Sequence, residues 1–286
     1  MPYLLAAAVL LALTHVADVL LATPVWRFAE PVCLAVLLVY ALVAGPRSPR
    51  WALPAALGVL LVDAVRTIPP PPSTSGYAWQ VLKPSDGVDV PSGFEAAAAG
   101  SWAPIVALIL LAVVWWRGSR PSWAVLGITV TMAVLITGYA AYRVIVIGLG
   151  VRDENAERSY GQADTGDAVT AVVLAVLPGV VLALAALTLT ALLARDGHRL
   201  GAAGAFLPAL AALPLIDAGI GAVSLPFSVH GESGLFGWSM ILPTLSMPAP
   251  VPALTAALMM TAFLLLAAGL TARRAPAVAS HPARRT

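Results

Sequence analysis

Eight long apolar stretches dominate this sequence and decide what it can fold into. A helix needs about 20 mostly apolar residues to cross a bilayer, within a range of roughly 17–25. The stretches cover residues 3–23, 28–45, 51–68, 101–117, 122–149, 167–194, 203–226 and 249–271. The sequence therefore predicts an all-α integral membrane protein, a polytopic bundle of about eight transmembrane helices in one domain over residues 1–272.

The composition agrees with a chain that is embedded in lipid. Of the 286 residues, 60% are hydrophobic and 10% are charged, whereas soluble domains average about 25% charged residues. The net charge of +2 gives no electrostatic support for a nucleic-acid partner. The single cysteine, Cys33, excludes an intrachain disulfide and a multi-thiolate metal site. We expect the lipid bilayer as the main partner, and no cofactor or metal.

The basic residues of the short loops predict the orientation of the bundle. Alternate connections carry ten of them: Arg47, Arg50, Arg117, Arg120, Arg195, Arg199, Arg273, Arg274, Arg284 and Arg285. They all fall on the cytoplasmic side only if the chain crosses the membrane eight times with both termini inside. Residues 273–286 are then a basic, disordered cytoplasmic tail, and the acidic loops lie outside.

The residue usage also indicates where the protein is found. Nearly all basic residues are arginine, in a chain rich in Ala, Gly and Pro, which is typical of a GC-rich bacterial genome. We therefore expect a bacterial inner membrane as the location. The first apolar stretch lacks a basic n-region and contains Asp18, which favours a retained span over a cleaved signal peptide.

Loop and proline signals refine this arrangement. Ser92 and Glu95 have capping-box spacing and predict an interfacial helix that leads into the fourth span. Asp164 is placed to cap the sixth span. The seventh span contains Pro208 and Pro214, which favour a break into two half-helices.

A short sequence match indicates a weak 4+4 parallel repeat. LLVDA at 60–64 and PLIDA at 214–218 both lie in spans that run from inside to outside, and each precedes a large outer loop. They form the third span of each half, which is where a parallel duplication places equivalent segments.

Ionisable residues inside the spans are the candidates for a functional site, because charges in lipid are costly and usually face protein or water. The candidates for binding a substrate or an ion are His15, Asp18, Asp63, Arg66, Arg143 and Asp217. With a rise of about 1.5 Å per residue, all of them lie at or outward of the predicted bilayer middle. Glu30 lies at the outer mouth of the second span. We therefore expect an outward-facing polar cavity.

Each candidate also has a structural interpretation. His15 and Asp18 are three residues apart, hence on one helix face, where they can bond each other. Arg143 can extend toward the interface, and Tyr139 lies one turn below it as a partner. Asp217 has no basic residue in its own span, so a local interpretation explains it least.

Counting charges sharpens the expectation of a cavity. If all five charged candidates face it, three carboxylates meet two guanidiniums, those of Arg66 and Arg143. Arginine stays protonated, so one carboxylate is left to hold a proton, a cation or a cationic substrate.

Three functions remain open at this point. Charges inside the spans and the proline-containing seventh span favour a small-solute or proton/cation-coupled transporter. Polar outer loops favour a non-catalytic accessory or sensor protein that binds an extracytoplasmic protein partner. Charges at one leaflet favour an enzyme that modifies outer-leaflet lipids, with Arg66 or Arg143 binding phosphate. No catalytic motif supports the enzyme, so transport is the preferred interpretation.

Overall fold

The computed structural model describes residues 2–21, 26–45, 51–68, 88–116, 122–157, 164–223 and 250–271. Within these ranges the chain is helical and has no strand, as predicted. The helices are α1 (Pro2–Leu21), α2 (Ala29–Ala44), α3 (Ala52–Arg66), α4 (Val90–Trp115), α5 (Trp123–Glu157), α6 (Thr165–Arg195), α7 (Arg199–Gly221) and α8 (Pro250–Thr271). Each predicted span coincides with one of them, whereas the basic tail lies outside the described residues.

The helices differ in length, and this bears on the number of crossings. Six are long and apolar enough to cross a membrane: α1, α4, α5, α6, α7 and α8. α2 has 16 residues and α3 has 15. At about 1.5 Å per residue these two measure roughly 24 and 22 Å, less than a hydrocarbon core of about 30 Å. The protein is a multi-pass helical bundle, while eight crossings and cytoplasmic termini stay predictions.

Side-chain contacts at the helix ends show how the helices alternate in direction. Near the end of α2, the hydroxyl of Tyr40 hydrogen-bonds that of Thr271 at the end of α8, at 3.0 Å. Arg195 at the end of α6 donates to the backbone oxygen of Trp115 at the end of α4, at 3.0 Å. The even-numbered helices therefore finish at the same end, which is the predicted cytoplasmic end. We call the opposite end, where the odd-numbered helices finish, the predicted outer end.

α4 begins earlier than the sequence predicts. It runs without interruption from Val90 to Trp115, so the expected interfacial helix and the fourth span are one element. The capping-box prediction was wrong, because the residue that precedes the helix is Asp89. The hydroxyl of Ser92 donates to the backbone oxygen of Asp89 at 2.7 Å, which turns it away from a capping role.

α6 and α7 are joined by a tight turn, and both are continuous. The predicted cap of α6 is confirmed: the Asp164 carboxylate accepts the backbone N–H groups of Gly166 at 2.7 Å and Asp167 at 3.2 Å. The prediction that α7 breaks was wrong, since Pro208 and Pro214 lie inside one helix. Each proline removes one backbone hydrogen bond, but packing against α4, α6 and α8 surrounds this helix and keeps it in one piece.

Small residues bring the central helices close together. α6 packs against α4, α5 and α7, and α7 packs against α8. A Cβ atom on Gly204 would lie 2.8 Å from the backbone oxygen of Ala262 on α8, and one on Gly219 would lie 2.6 Å from that of Ala175 on α6. Close backbone approach through small residues is a main source of stability between membrane helices, because lipid is as apolar as the protein.

The remaining helices flank this centre on different sides. α5 lies at the periphery and packs chiefly on α6, with most of its surface exposed. α1 contacts α2 and α8, while α3 contacts α2 and α4. Because α1, α2 and α3 reach the centre only through α4 and α8, space is left between them at one end.

Candidate functional site

A cavity of about 340 Å³ fills this space at the predicted outer end, between α1, α2, α3, α4, α7 and α8. Most of its wall is hydrocarbon. Its side chains with polar groups are His15, Glu30, Asp63 and Thr255. We call it the acidic cavity, because Glu30 and Asp63 are the only carboxylates in its described lining and no Lys or Arg accompanies them there.

His15 and Glu30 meet at the mouth of the acidic cavity. The His15 Nε2 atom lies 3.8 Å from a carboxylate oxygen of Glu30, and the two side chains are 16% and 36% exposed. Glu30 is in the first turn of α2, where the free N–H groups of the helix favour negative charge. The Glu30 carboxylate also lies near enough to that of Asp63 for the two to repel each other. The site therefore concentrates negative charge.

Asp63 is half-buried and interacts with two further groups. The indole of Trp102 on α4 and the guanidinium of Arg66, one turn later on α3, both favour its negative charge. Arg66 itself is exposed and does not line the acidic cavity, so water weakens its influence on Asp63. The arrangement leaves Asp63 facing the cavity with only partial charge compensation.

Proline adds a backbone acceptor to the same wall. Gly100 and Pro104 of α4 both line the acidic cavity. Because proline has no N–H, the carbonyl of the residue four positions earlier loses its helical partner. That residue is Gly100, so a carbonyl that lacks its α-helical partner belongs to a residue of the cavity wall. Freed carbonyls of this kind coordinate cations in membrane transporters.

A second polar group is separate from the cavity and buried between α5 and α7. The Nε atom of Arg143 lies 2.8 Å from Oδ1 of Asp217, with the two side chains 3% and 0% exposed. The hydroxyl of Tyr139 donates to the other carboxylate oxygen of Asp217 at 2.6 Å. The charge of Asp217 is therefore met by a cation and a hydroxyl from one neighbouring helix. We call this group the Arg143–Asp217 pair.

The structure thus divides the six sequence candidates among several places. His15 and Asp63 line the acidic cavity, and Arg143 and Asp217 form the buried pair. Arg66 is exposed at the end of α3. The carboxylate of Asp18 on α1 accepts the backbone N–H of Trp26, which precedes α2, at 3.2 Å.

The sequence suggests that all the charged candidates line one cavity, but in the structure they do not. On α7, Pro214, Leu215 and Ala218 line the acidic cavity. Each residue turns a helix by about 100°, so Asp217 projects from a different face and meets α5 instead. Asp63 and Asp217 therefore do not share a cavity. The predicted repeat, which equates their segments, gains no support from their surroundings and stays a prediction.

Sequence reasoning also gave too little weight to two residues. Glu30 was assigned to the helix mouth, but it lines the acidic cavity beside His15. Tyr139 was treated as a partner of Arg143, yet its hydroxyl binds Asp217. The four-residue spacing of Tyr139 and Arg143 was the available signal, because it puts both on one helix face and so toward one partner.

Comparison with known proteins adds no assignment. The chain matches no protein-family model, and comparisons with the curated proteins and with the solved structures gave no significant match. The function has to be inferred from the geometry of the site.

Proposed function

We propose that the protein is a membrane transporter for a small solute or for protons, and that the acidic cavity is its outward-facing binding site for a cation. The observation that supports this proposal is the negative charge of the cavity, whose described lining holds two carboxylates and no Lys or Arg. A cavity with low-dielectric walls strengthens the attraction of such a site for positive charge.

The surroundings of the carboxylates support a binding role over a purely structural one. A structural carboxylate inside a membrane protein is expected to be matched by a cation, as Asp217 is by Arg143. Among the described residues, Glu30 has only His15 within ion-pair distance, the exposed Arg66 is the only cation that attracts Asp63, and both carboxylates border an open space. This arrangement is stabilised when a proton or another cation enters.

The same geometry gives no support to a phosphate-binding enzyme centred on the acidic cavity, and an enzyme elsewhere at the outer leaflet stays a prediction. That alternative needs Arg66 or Arg143 at the site, since guanidinium groups bind phosphate. Arg66 is exposed outside the acidic cavity and Arg143 is bound to Asp217. The accessory or sensor alternative depends on outer-loop residues 69–87 and 224–249, which lie outside the described residues, and it stays a prediction.

Flux across a reconstituted bilayer tests the proposal. We expect liposomes that contain the full chain to carry current or move protons when an inorganic cation, methylammonium or a pH gradient is applied. Glu30→Gln and Asp63→Asn should each lower the initial rate by about tenfold or more, because each removes a charge that faces the cargo. Asp18→Asn is the matched control, since Asp18 lies at the same end but outside the cavity.

Two results would overturn the assignment. Liposomes that show no flux with any of these cations would contradict transport of positive charge. Flux that is unchanged in both carboxylate variants would place the pathway elsewhere in the bundle.

A further inference from the structure

The walls of the acidic cavity identify the chemical class of its ligand. Away from the carboxylates the cavity is lined by apolar side chains: Val19, Leu34, Leu60, Met259, Met260 and Phe263. Methionine accommodates hydrocarbon of irregular shape, and the ring face of phenylalanine attracts a nearby cation. A ligand that fills this space must therefore carry both a charge and an apolar part.

The polar atoms at the mouth suit an ammonium group. A primary ammonium has three N–H donors and needs three acceptors. Glu30 and Asp63 supply carboxylate oxygens, and Gly100 supplies the carbonyl freed by Pro104. The hydroxyl of Thr255 donates its proton to the backbone oxygen of Val251 at 3.1 Å, which leaves its oxygen as a further acceptor.

The same atoms suit a bare metal ion poorly. Ca²⁺ takes six to eight oxygen ligands and Mg²⁺ takes near-octahedral ones. Among the described residues, no group of three His, Cys, Asp or Glu side chains is arranged to hold a metal ion. Most of the cavity wall offers no oxygen at all.

The charge of the site corresponds to a monovalent ligand. Glu30 and Asp63 contribute two negative charges, and Arg66 offsets part of the charge of Asp63 from outside. Because Arg66 offsets only part of one charge, at least one negative charge is left without compensation in the described lining of the cavity. A single ammonium matches that charge.

We infer that the acidic cavity binds a small monovalent amine, with its ammonium between Glu30 and Asp63 and its hydrocarbon part against Met259, Met260 and Phe263. A volume of about 340 Å³ holds a ligand of about ten non-hydrogen atoms, at roughly 30 Å³ for each water-sized unit. As a statement about cargo, the inference rests on the proposed function. As a statement about binding, it can be tested without transport.

Binding to the purified full chain in detergent tests the inference, with phenethylamine as the probe. We expect phenethylamine to bind and to raise the unfolding temperature. Phenethyl alcohol has the same hydrocarbon part without the charge, and it controls for partition into the detergent. Phenylacetate reverses the charge and methylammonium lacks the ring. Each of these three compounds should bind at least about tenfold more weakly than phenethylamine, because each lacks either the positive charge or the aromatic ring.

Substitutions of residues inside and outside the acidic cavity test whether phenethylamine binds there. Asp63→Asn and Glu30→Gln should weaken phenethylamine binding about tenfold, whereas Asp18→Asn should not change it. Phe263→Ala should weaken phenethylamine binding and leave methylammonium binding unchanged. Phe263 is 5% exposed, so its loss can impair folding. Met259→Ser, at a half-buried position of the wall, is therefore a second test of whether the apolar wall contributes to phenethylamine binding.

The outcomes separate the inference from the proposed function. Binding of phenethyl alcohol as tight as that of phenethylamine, or amine binding that survives both carboxylate variants, overturns the inference. Flux of protons or inorganic cations that depends on Asp63 but is unaffected by phenethylamine overturns it and leaves the transporter standing. Phenethylamine binding that requires Asp63, in a protein without any flux, overturns the transporter and leaves the binding site.

Discussion

The guanidinium of Arg143 on α5 lies 2.8 Å from the carboxylate of Asp217 on α7, where neither side chain is accessible. This pair joins the peripheral α5 to the centre of the bundle, because α5 otherwise packs chiefly on α6. Tyr139 on the same helix donates to the second oxygen of Asp217. The pair therefore positions a helix, and the proposed cation-binding site is the acidic cavity, on another face of α7.

Removing one member of the Arg143–Asp217 pair should destabilise the protein more than removing both. Asp217→Asn removes the carboxylate that lies 2.8 Å from the buried Arg143 guanidinium, and breaking a buried pair in this way costs about 3–5 kcal/mol. The double variant Arg143→Met with Asp217→Leu leaves no isolated charge and should recover much of this loss. Unfolding of the detergent-solubilised chain, followed by circular dichroism, measures the difference.

Tyr139→Phe is the matched control for this cycle, because it removes a hydrogen bond and no charge. Its cost should be about 1–3 kcal/mol. If Asp217→Asn were as stable as the wild type and lowered cation flux instead, the pair would belong to the transport site.

Thiol labelling should distinguish the two carboxylates that the repeat equates. In a Cys33→Ala background, Asp63→Cys and Glu30→Cys should react with an impermeant maleimide added outside intact cells. Asp217→Cys should not react, because that side chain is buried against α5. Labelled fractions can be read from a gel shift.

A cysteine at the other end of the bundle tests the predicted orientation of the protein in the membrane. Arg199 lies at the exposed start of α7, at the predicted cytoplasmic end. The cysteine in Arg199→Cys should therefore react with the maleimide only after the cells are permeabilised. Reaction at position 199 in intact cells would contradict the predicted orientation. A cysteine at position 63 that does not react would contradict the opening of the acidic cavity to the outside.

Gly204 should not tolerate even a methyl group. Its Cβ position lies 2.8 Å from two backbone atoms of α8, the oxygen of Ala262 and the nitrogen of Leu266. Gly204→Ala should therefore push α7 and α8 apart and cost about 1–3 kcal/mol, as overpacking typically does. The unfolding temperature of the purified chain measures the loss.

Gly138 on α5 provides the comparison, because among the described residues no atom beyond the adjacent backbone of α5 lies within 4 Å of its Cβ position. Gly138→Ala should stay within about 1 kcal/mol of the wild type, with alanine the better helix former. Equal effects of the two substitutions would mean that α7 and α8 are not packed as closely as the structure places them.

Hydropathy alone predicts the helices well, because each span must satisfy its backbone hydrogen bonds internally and expose apolar side chains to lipid. The errors fall where local signals compete with packing. Ser92 and Glu95 have the spacing of a capping box at a helix start, yet α4 begins at Val90 and includes both residues. Pro208 and Pro214 read as a break, yet the helices around α7 hold it together.

The site was predicted less well than the fold, for a physical reason. The sequence gives the depth of each charge, since the rise per residue is fixed. It does not give the rotation of a helix or the identity of its neighbours. Asp217 and Arg143 were therefore both placed in the outer half without being paired. Glu30 and Asp63 were named separately, although their helices bring them to one cavity.

The unequal helix lengths have a consequence for the surrounding lipid. α5, with 35 residues, is about 52 Å long, whereas α3, with 15, is about 22 Å long. The last turns of α5 carry Arg152, Asp153, Glu154 and Glu157, so the excess length of this helix projects beyond the hydrocarbon. α2 and α3, in contrast, are shorter than the hydrocarbon core of about 30 Å. Lipid compensates for a short segment by thinning locally. The headgroup layer should dip toward His15 and Glu30, so bulk water reaches the acidic cavity from its flank.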